Sequence, residues 1–418
     1  MKKLTRKLLR DLVTLRWQIA TIAIVVAVGV ATLVAAFGTY RSLLDARDRF
    51  YATAGFPHVF SRVSRAPDDV HDELSRIDGV AAVETRLTFD APVDLEGVRE
   101  SVTTRVISLA PSGRPAVTRL LLEWGRLPDP QARHEGVVNE AFAKARRLTN
   151  GDRIRVVLNG HREEVTIVGA VLSAEHLAAF RGGEIIPDDA HFGILWLSHD
   201  AVASAFQAKG TFNEIAIRLS PGVGEAKVIA AVDRVLAPYG SYGAYGRSEQ
   251  PAHRFVDGEL RELEVEATVL PLIFLGVAAF LLNAVLARIV TNERTQIATL
   301  RALGFGIAPI ARHYLELAAV TAAIGATAGL GLGVVLGTMM TSMYTEFFRF
   351  PSLVYRVEPV IVVVAFVTSI GAGVAGALAS VYRVARLAPA EAMQPAAPGV
   401  FRNGWFERLP FARLLDAS

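Results

Sequence analysis

The side chains with the most chemical potential fall into two groups. The first is Asp188, Asp189, His191, His199 and Asp200, carboxylates and imidazoles of the types that hold divalent metals. His191 and His199 flank the apolar run 192–197, which reads as a strand. They are therefore expected at its opposite ends, as solvated loop residues and not as a metal centre. The second group is the stretch 293–304, with Glu293, Arg294, Ile297, Ala298, Leu300, Arg301, Ala302, Leu303 and Gly304. Here Ile297, Leu300 and Leu303 can share an apolar helical face while Glu293, Arg294 and Arg301 point elsewhere, and Gly304 suits a helix stop. A short amphipathic helix of this kind offers a grip to a partner; the alternative is a solvated or membrane-lying loop. Other chemistry lacks its residues. There is no GxxxxGK[ST] phosphate loop, no HExxH, no GxSxG and no cysteine. No catalytic residue, metal site or cofactor is expected in this chain.

The elements that must position these residues are dominated by four charge-free runs, 19–37, 269–287, 317–343 and 360–381. A helix rises about 1.5 Å per residue and must cross about 30 Å of hydrocarbon, so each run is long enough to span a membrane. Lys2, Lys3, Arg6, Lys7, Arg10 and Arg16 precede the first run; Arg288, Arg294, Arg301 and Arg312 lie between the second and third; Arg383 and Arg386 follow the fourth. Four crossings put these three regions on one side, and their charge makes that side the cytoplasm. The expected order is a cytoplasmic segment 1–18, span 19–37, an outer region 38–268, span 269–287, a cytoplasmic loop 288–316, span 317–343, a short outer loop 344–359, span 360–381 and a cytoplasmic tail 382–418. In the outer loop, Arg349 and Arg356 are expected to be offset by Glu346 and Glu358. Span 19–37 can also be read as a signal peptide, but it exceeds the usual length of a signal core. A formal net charge of +3 gives no ground for nucleic-acid binding.

The outer region reads as α/β. Asn159-Gly160 between alternating segments is its strongest hairpin signal, and 225–236 reads as a helix. Charged amphipathic stretches at 38–53 and 256–266 continue the first two spans as helices, a stalk carrying the outer region, with Pro271 as a kink. The fold class is therefore membrane α-helical, four transmembrane helices with the first two extended, plus one large α/β extracytoplasmic domain. Span three carries Gly325, Gly329, Gly333 and Gly337 at intervals of four, a ridge for close helix packing. No charged residue lies inside a span, which argues against a proton- or sodium-driven pathway.

The stretch 293–304 resembles the "ER..EIATLRALG" segment of ABC permeases of the macrolide-exporter, lipoprotein-releasing and cell-division kind, the FtsX-like, type VII mechanotransmission family. Gln296 stands where that family carries an acidic residue. The run Ala385-Arg386-Leu387-Ala388-Pro389-Ala390-Glu391-Ala392 is similar to the family's closing motif, and 136–169 is similar to its MacB-like periplasmic core. The resemblance implies that 293–304 is a coupling helix docking an ABC ATP-binding subunit, which binds ATP and Mg while this chain has no cofactor. It implies a homodimer, or a second membrane unit of a longer chain, in the bilayer lipid of a bacterial inner membrane, with both termini cytoplasmic. It also implies a periplasmic adaptor as a possible partner, and export or extraction of amphiphilic cargo: lipid, lipoprotein, peptide or drug. Three alternatives stand beside it: a non-transporting regulator of cell-wall hydrolases, a signal relay, and an anchored extracytoplasmic hydrolase, the last needing neither four spans nor a coupling loop. The tail beyond Pro395, with Phe401, Trp405, Phe406 and Phe411, reads as an amphipathic anchor or, preferably, a linker into a second unit.

Overall fold

A computed structural model describes residues 2–94, 101–111, 115–182, 184, 186–304 and 306–386, with side chains at all of these except 2–6, 300–302, 346 and 383–386. The closing-motif residues 387–392 and the tail beyond Pro395 lie outside the described residues.

Helix α1 (Lys2–Thr14) is followed by α2 (Arg16–Ala54). The α/β region then runs β1 (Val59–Pro67), α3 (Val70–Ser75), β2 (Val80–Arg86), β3 (Thr88–Asp94), β4 (Val102–Ser108), β5 (Leu121–Gly125), β6 (Glu135–Asn139), α4 (Glu140–Arg146), β7 (Arg153–Leu158), β8 (His161–Leu172), β9 (Phe192–Leu197), α5 (His199–Ala205), β10 (Thr211–Leu219), α6 (Glu225–Leu236) and β11 (Tyr245–Gly246). Four helices close the described chain: α7 (Pro251–Asn292), α8 (Arg294–Ala302), α9 (Ile307–Phe348) and α10 (Pro359–Arg386). Among the described residues four helices, α2, α7, α9 and α10, are long and apolar enough to cross a membrane. The 39 residues of α2 rise about 58 Å, far more than the hydrocarbon core requires. Helix α7 continues through Pro271 without a break.

The chain forms two compact units, one from the residues up to Val30 with Pro271–Leu332 and those from Val362 on, the other from Ala31–Leu270 with Gly333–Ile361. The second unit contains both sheets. The smaller sheet is antiparallel, in the order β11-β1-β10-β2, and is covered by α3 and α6 through Val70, Leu74, Val228, Val232 and Leu236. The larger follows β5-β8-β6-β9-β4-β3-β7, and β7 pairs again with β8, so six of its strands form a cycle. Turn residues Asn159 and Gly160 both take positive φ, +48° and +84°, the twist a two-residue hairpin between β7 and β8 requires. All six residues of β9 are buried because both faces of the sheet are covered. Successive side chains alternate between two clusters: Leu195 and Leu197 pack with Val138, Phe142 and Ile167, whereas Ile194 and Trp196 pack with Val137, Val168 and Phe192.

The extended ends of α2, α7 and α9 belong to this second unit. Leu43, Phe50, Leu260, Leu263, Phe348 and Phe350 form one buried cluster among otherwise charged helix surfaces. Helix α9 runs to Phe348, so the connection to α10 is shorter than the loop 344–359 expected from hydropathy. Arg349 in that connection takes φ +53° and turns to the α/β region, 3.0 Å from both Glu140 and Asp189. It is these acids, on α4 and in the turn before β9, that offset Arg349; Glu346 was expected in that role, and its side chain lies outside the described residues.

Candidate functional site

Helix α8 is nine residues long, too short to hold its place by hydrogen bonds along its own backbone alone. It is held by burial and by a polar staple. Ile297 and Ala298 are buried, while Thr295, Gln296 and Thr299 are exposed. Arg294 is half-buried. Leu300, Arg301 and Ala302 are helical, with side chains outside the described residues. Leu303 differs from its expected place beside Ile297: it falls past the end of α8, is 71% exposed, and precedes Gly304, whose φ of +89° reverses the chain.

Glu293 sits in the bend between α7 and α8. Its Oε2 accepts from Lys7 Nζ on α1 at 2.9 Å and from the Tyr314 hydroxyl on α9 at 3.0 Å. Lys7 also donates to Asp11 Oδ2 at 2.6 Å, and the same oxygen lies 3.0 Å from Nε2 of buried His313. Helices α1, α8 and α9 are thus joined by alternating charges. Glu293, read from sequence as a surface docking residue, is turned inward. The staple also inverts α1: Lys7 and Asp11 face the protein, and Leu9 and Val13 face out, as does Trp17 at the start of α2.

The glycines of α9 are contact points. A Cβ at Gly325 would stand 2.6 Å from the Ala23 carbonyl of α2, and one at Gly329 would stand 2.5 Å from that of Ala27. In the second unit, Gly333 lies against Ala31 and Val34, and Gly337 against the ring of Tyr355. Only a hydrogen side chain lets the backbones approach this closely. Gly376 of α10 meets the Ala279 carbonyl of α7 in the same way, and Ser380 donates to Oδ1 of Asn283 at 2.8 Å.

In the α/β region the acidic and imidazole residues of 188–200 are divided. His191 Nδ1 lies 2.7 Å from Asp188, Asp189 serves Arg349, and His199 begins α5 beyond the far end of β9. The densest charge is elsewhere. Arg86 on β2 donates through Nη1 and Nη2 to Glu175 at 3.0 and 2.5 Å, and through Nε to Glu214 on β10 at 2.8 Å. The side chains of Arg86 and Glu175 are only 6% and 2% exposed. Thr118 also donates to Glu175, and the paired Arg86 cation holds that carboxyl below its usual range against the effect of burial. His176 next to it is pushed down to about 4 by burial. Glu84 accepts the N–H groups of Val117 and Thr118, each at 3.0 Å, and burial raises its carboxyl above the ordinary value. A cavity of about 610 Å³ opens beside these groups.

Residues 268–389 match the family model of the FtsX-like permease C-terminal domain. That segment of the chain carries an FtsX-like permease C-terminal domain. The match covers α8, α9 and α10, hence Glu293, His313 and Tyr314 of the staple and the glycines of α9. The family is a membrane component of ABC transporters and not itself an ATPase. Among solved structures, the chain is similar to the periplasmic region of MacB from Actinobacillus actinomycetemcomitans, at 12% identity over 51% of this chain and 95% of that one, with a TM-score of 0.31. It is similar to the extracellular domain of the noncanonic ABC-type transporter YknZ from Gram-positive bacteria, at 11% identity over 46% and 98%, TM-score 0.31. A domain of a putative permease protein from Porphyromonas gingivalis matches at 16% identity over 44% and 81%, TM-score 0.28. No curated protein sequence matches the chain.

Sequence reasoning missed the staple and the Arg86 network for one reason. Lys7 and Glu293 are 286 residues apart, and Arg86 and Glu175 are 89 apart. No local period links such partners. The one available signal for Arg86 was a charged residue at the end of an otherwise alternating strand.

Proposed function

We propose that the chain is an ABC-type permease that receives ATP-driven motion from a separate ABC ATP-binding subunit at α8 and passes it to the α/β region for export or extraction of amphiphilic cargo. The observation that carries this reading is the exposed strip Thr295, Gln296, Thr299 and Leu303, held on a stapled helix inside the segment that matches the permease family. ATP and Mg belong to the partner in this reading. The α8 side is the cytoplasmic side, in keeping with its excess of arginine, and the α/β region is outside, in a bacterial inner membrane. The outward Leu9 and Val13 of α1, with Trp17 at the start of α2, suit the bilayer interface. A second copy, or a second unit in the same polypeptide, supplies the other half of the machine, and an adaptor joins it outside.

The test is affinity purification of the intact permease in mild detergent with mass spectrometry of what accompanies it, repeated for Leu303→Asp and Thr299→Arg. Both positions are exposed, so folding and membrane insertion should persist while the ATP-binding subunit is lost. An ATPase retained fully by both variants, or none with the parent protein, would overturn the docking assignment.

A further inference from the structure

The cavity of about 610 Å³ in the α/β region is within the size range of small-molecule sites. Leu109, Leu120, Leu121 and Trp196 form much of its apolar wall, with Pro111 and Pro128. Most of its polar groups select nothing. Arg86 is held by two carboxylates, Thr118 donates to one of them, and Ser198 donates to the Ala132 carbonyl at 2.8 Å. Nδ1 of His199 is buried without a partner, but an imidazole nitrogen can accept as well as donate. Arg119 and Asp200 are both exposed at the mouth, where water screens them and their charges offset. Glu84 is different. It stands on β2, opposite Ala216 of β10. The amides of Val117 and Thr118 both donate to the same oxygen, Oε2, at 3.0 Å each. Oε1 has no donor among the described residues, and it keeps solvent access in a half-buried side chain that lines the cavity. The cation nearest in the chain, Arg86, is already shared by Glu175 and Glu214. Glu175 adds repulsion from the turn after β8, and His176 beside it is neutral, so burial holds the Glu84 carboxyl above its ordinary range. An ionised carboxylate only accepts, so the unmet partner of this cavity is a donor. A cationic donor would meet both the open oxygen and the uncompensated charge.

We propose that this cavity binds an amphiphilic amine, with its ammonium group on Oε1 of Glu84 and its apolar body against Trp196 and the leucines. The site is independent of the α8 docking surface. It needs no ATPase, so its failure would leave the docking reading untouched.

The test uses the full chain in phosphatidylcholine nanodiscs, whose bilayer carries no net charge. The probes are decylamine, decanol and decanoate, each with a photoreactive diazirine at the end of the chain, so that only the head differs. Mass spectrometry maps the labelled peptides, and labelling of α10 reports how much of each probe sits in lipid. Saturable labelling of the peptides that carry Leu120 or Trp196 is expected, with the amine saturating at roughly tenfold lower concentration than the alcohol and the carboxylate weakest. Glu84→Gln keeps an oxygen for the two amides and removes the charge. It should abolish the amine's tenfold advantage and leave labelling by the alcohol unchanged, which also shows that the cavity is intact. The parent protein supplies a second arm that needs no substitution. Glu84 is ionised above its folded pKa, so the advantage of the amine is complete there and is lost as pH falls through that value, while the alcohol is unaffected. Absence of saturable labelling at these peptides would overturn the proposal. So would amine and alcohol saturating together, or an amine preference untouched by Glu84→Gln or by acid.

Discussion

Neutralising Glu293 tests whether α8 is held from within or meets its partner through that carboxylate. Glu293 accepts one hydrogen bond from a cation, Lys7, and one from the Tyr314 hydroxyl. A hydrogen bond involving a charged group contributes about 1.5–3 kcal/mol when buried. The Lys7 and Glu293 side chains keep 16% and 22% of their exposure, which places both bonds at the lower end, about 3 kcal/mol together. If the position of α8 depends on this staple, Glu293→Gln can weaken ATPase affinity by at most about 100-fold, at 1.4 kcal/mol per factor of ten. Lys7→Met should act through the same contact, so the double variant should be little worse than either single one. The assay titrates nanodisc-embedded permease with purified ATP-binding subunit for all four proteins. Hydrogen exchange without the partner supplies a second readout, with α1 amides losing protection in Glu293→Gln. Affinity losses that add, together with unchanged exchange in α1, would mean that Glu293 contacts the partner itself and that the staple does not position α8.

Two further outcomes concern the α/β region. Arg86→Met leaves Glu175 and Glu214 without their shared cation and should cost about 3–5 kcal/mol. At about 2–4 °C per kcal/mol this lowers the thermal midpoint by roughly 6–20 °C, and Arg86→Met with Glu175→Met should recover part of it; a fall of under about 2 °C would show that the network is not structural. Acid should also weaken this region. His176 is neutral in the folded state with its pKa pushed down to about 4, against 6.5 ordinarily, so its contribution is complete above pH 6.5, declines as pH falls toward 4 and is level below that. That shift corresponds to about 3 kcal/mol. Glu175, held low by Arg86, loses stability in the same direction at lower pH, whereas Glu84, held high, favours the fold in acid and loses as pH rises through its folded pKa. Thermal midpoints of His176→Gln between pH 6.5 and 4 should be flatter than those of the parent; identical slopes would remove His176 from the account.

What was legible in the sequence was legible through period and turn chemistry. Val228, Val232 and Leu236 recur at helical spacing in α6 and are all buried. Leu260 and Leu263 stand among charges in α7 and enter the aromatic cluster. Asn159-Gly160 signals a hairpin because these residues tolerate positive φ. The glycines of α9 suggest close packing by spacing alone, but not which helix approaches; α2 supplies the carbonyls at three of them, Gly325, Gly329 and Gly333. The candidate site was less legible. Amphipathicity placed Ile297 inward and could not place Leu303, because that depends on where α8 ends. Glu293 looked like a docking charge because its two partners lie on other helices, and the cavity was invisible because its wall is drawn from several distant segments.

The cyclic ladder of the larger sheet has a mechanical consequence. In an open sheet an edge strand can be peeled away one hydrogen bond at a time. Here β3, β4, β6, β7, β8 and β9 each have a neighbour on both sides, and only β5 is attached to the ring by a single ladder. No ring strand can leave without breaking two ladders together. A pulling force on the ring therefore cannot unzip it from a free margin, and the ring responds as a stiff body that shifts or turns whole. The compliance must then reside in what joins the ring to its surroundings, including the Arg349 ion pairs, which can break and re-form without disturbing any strand.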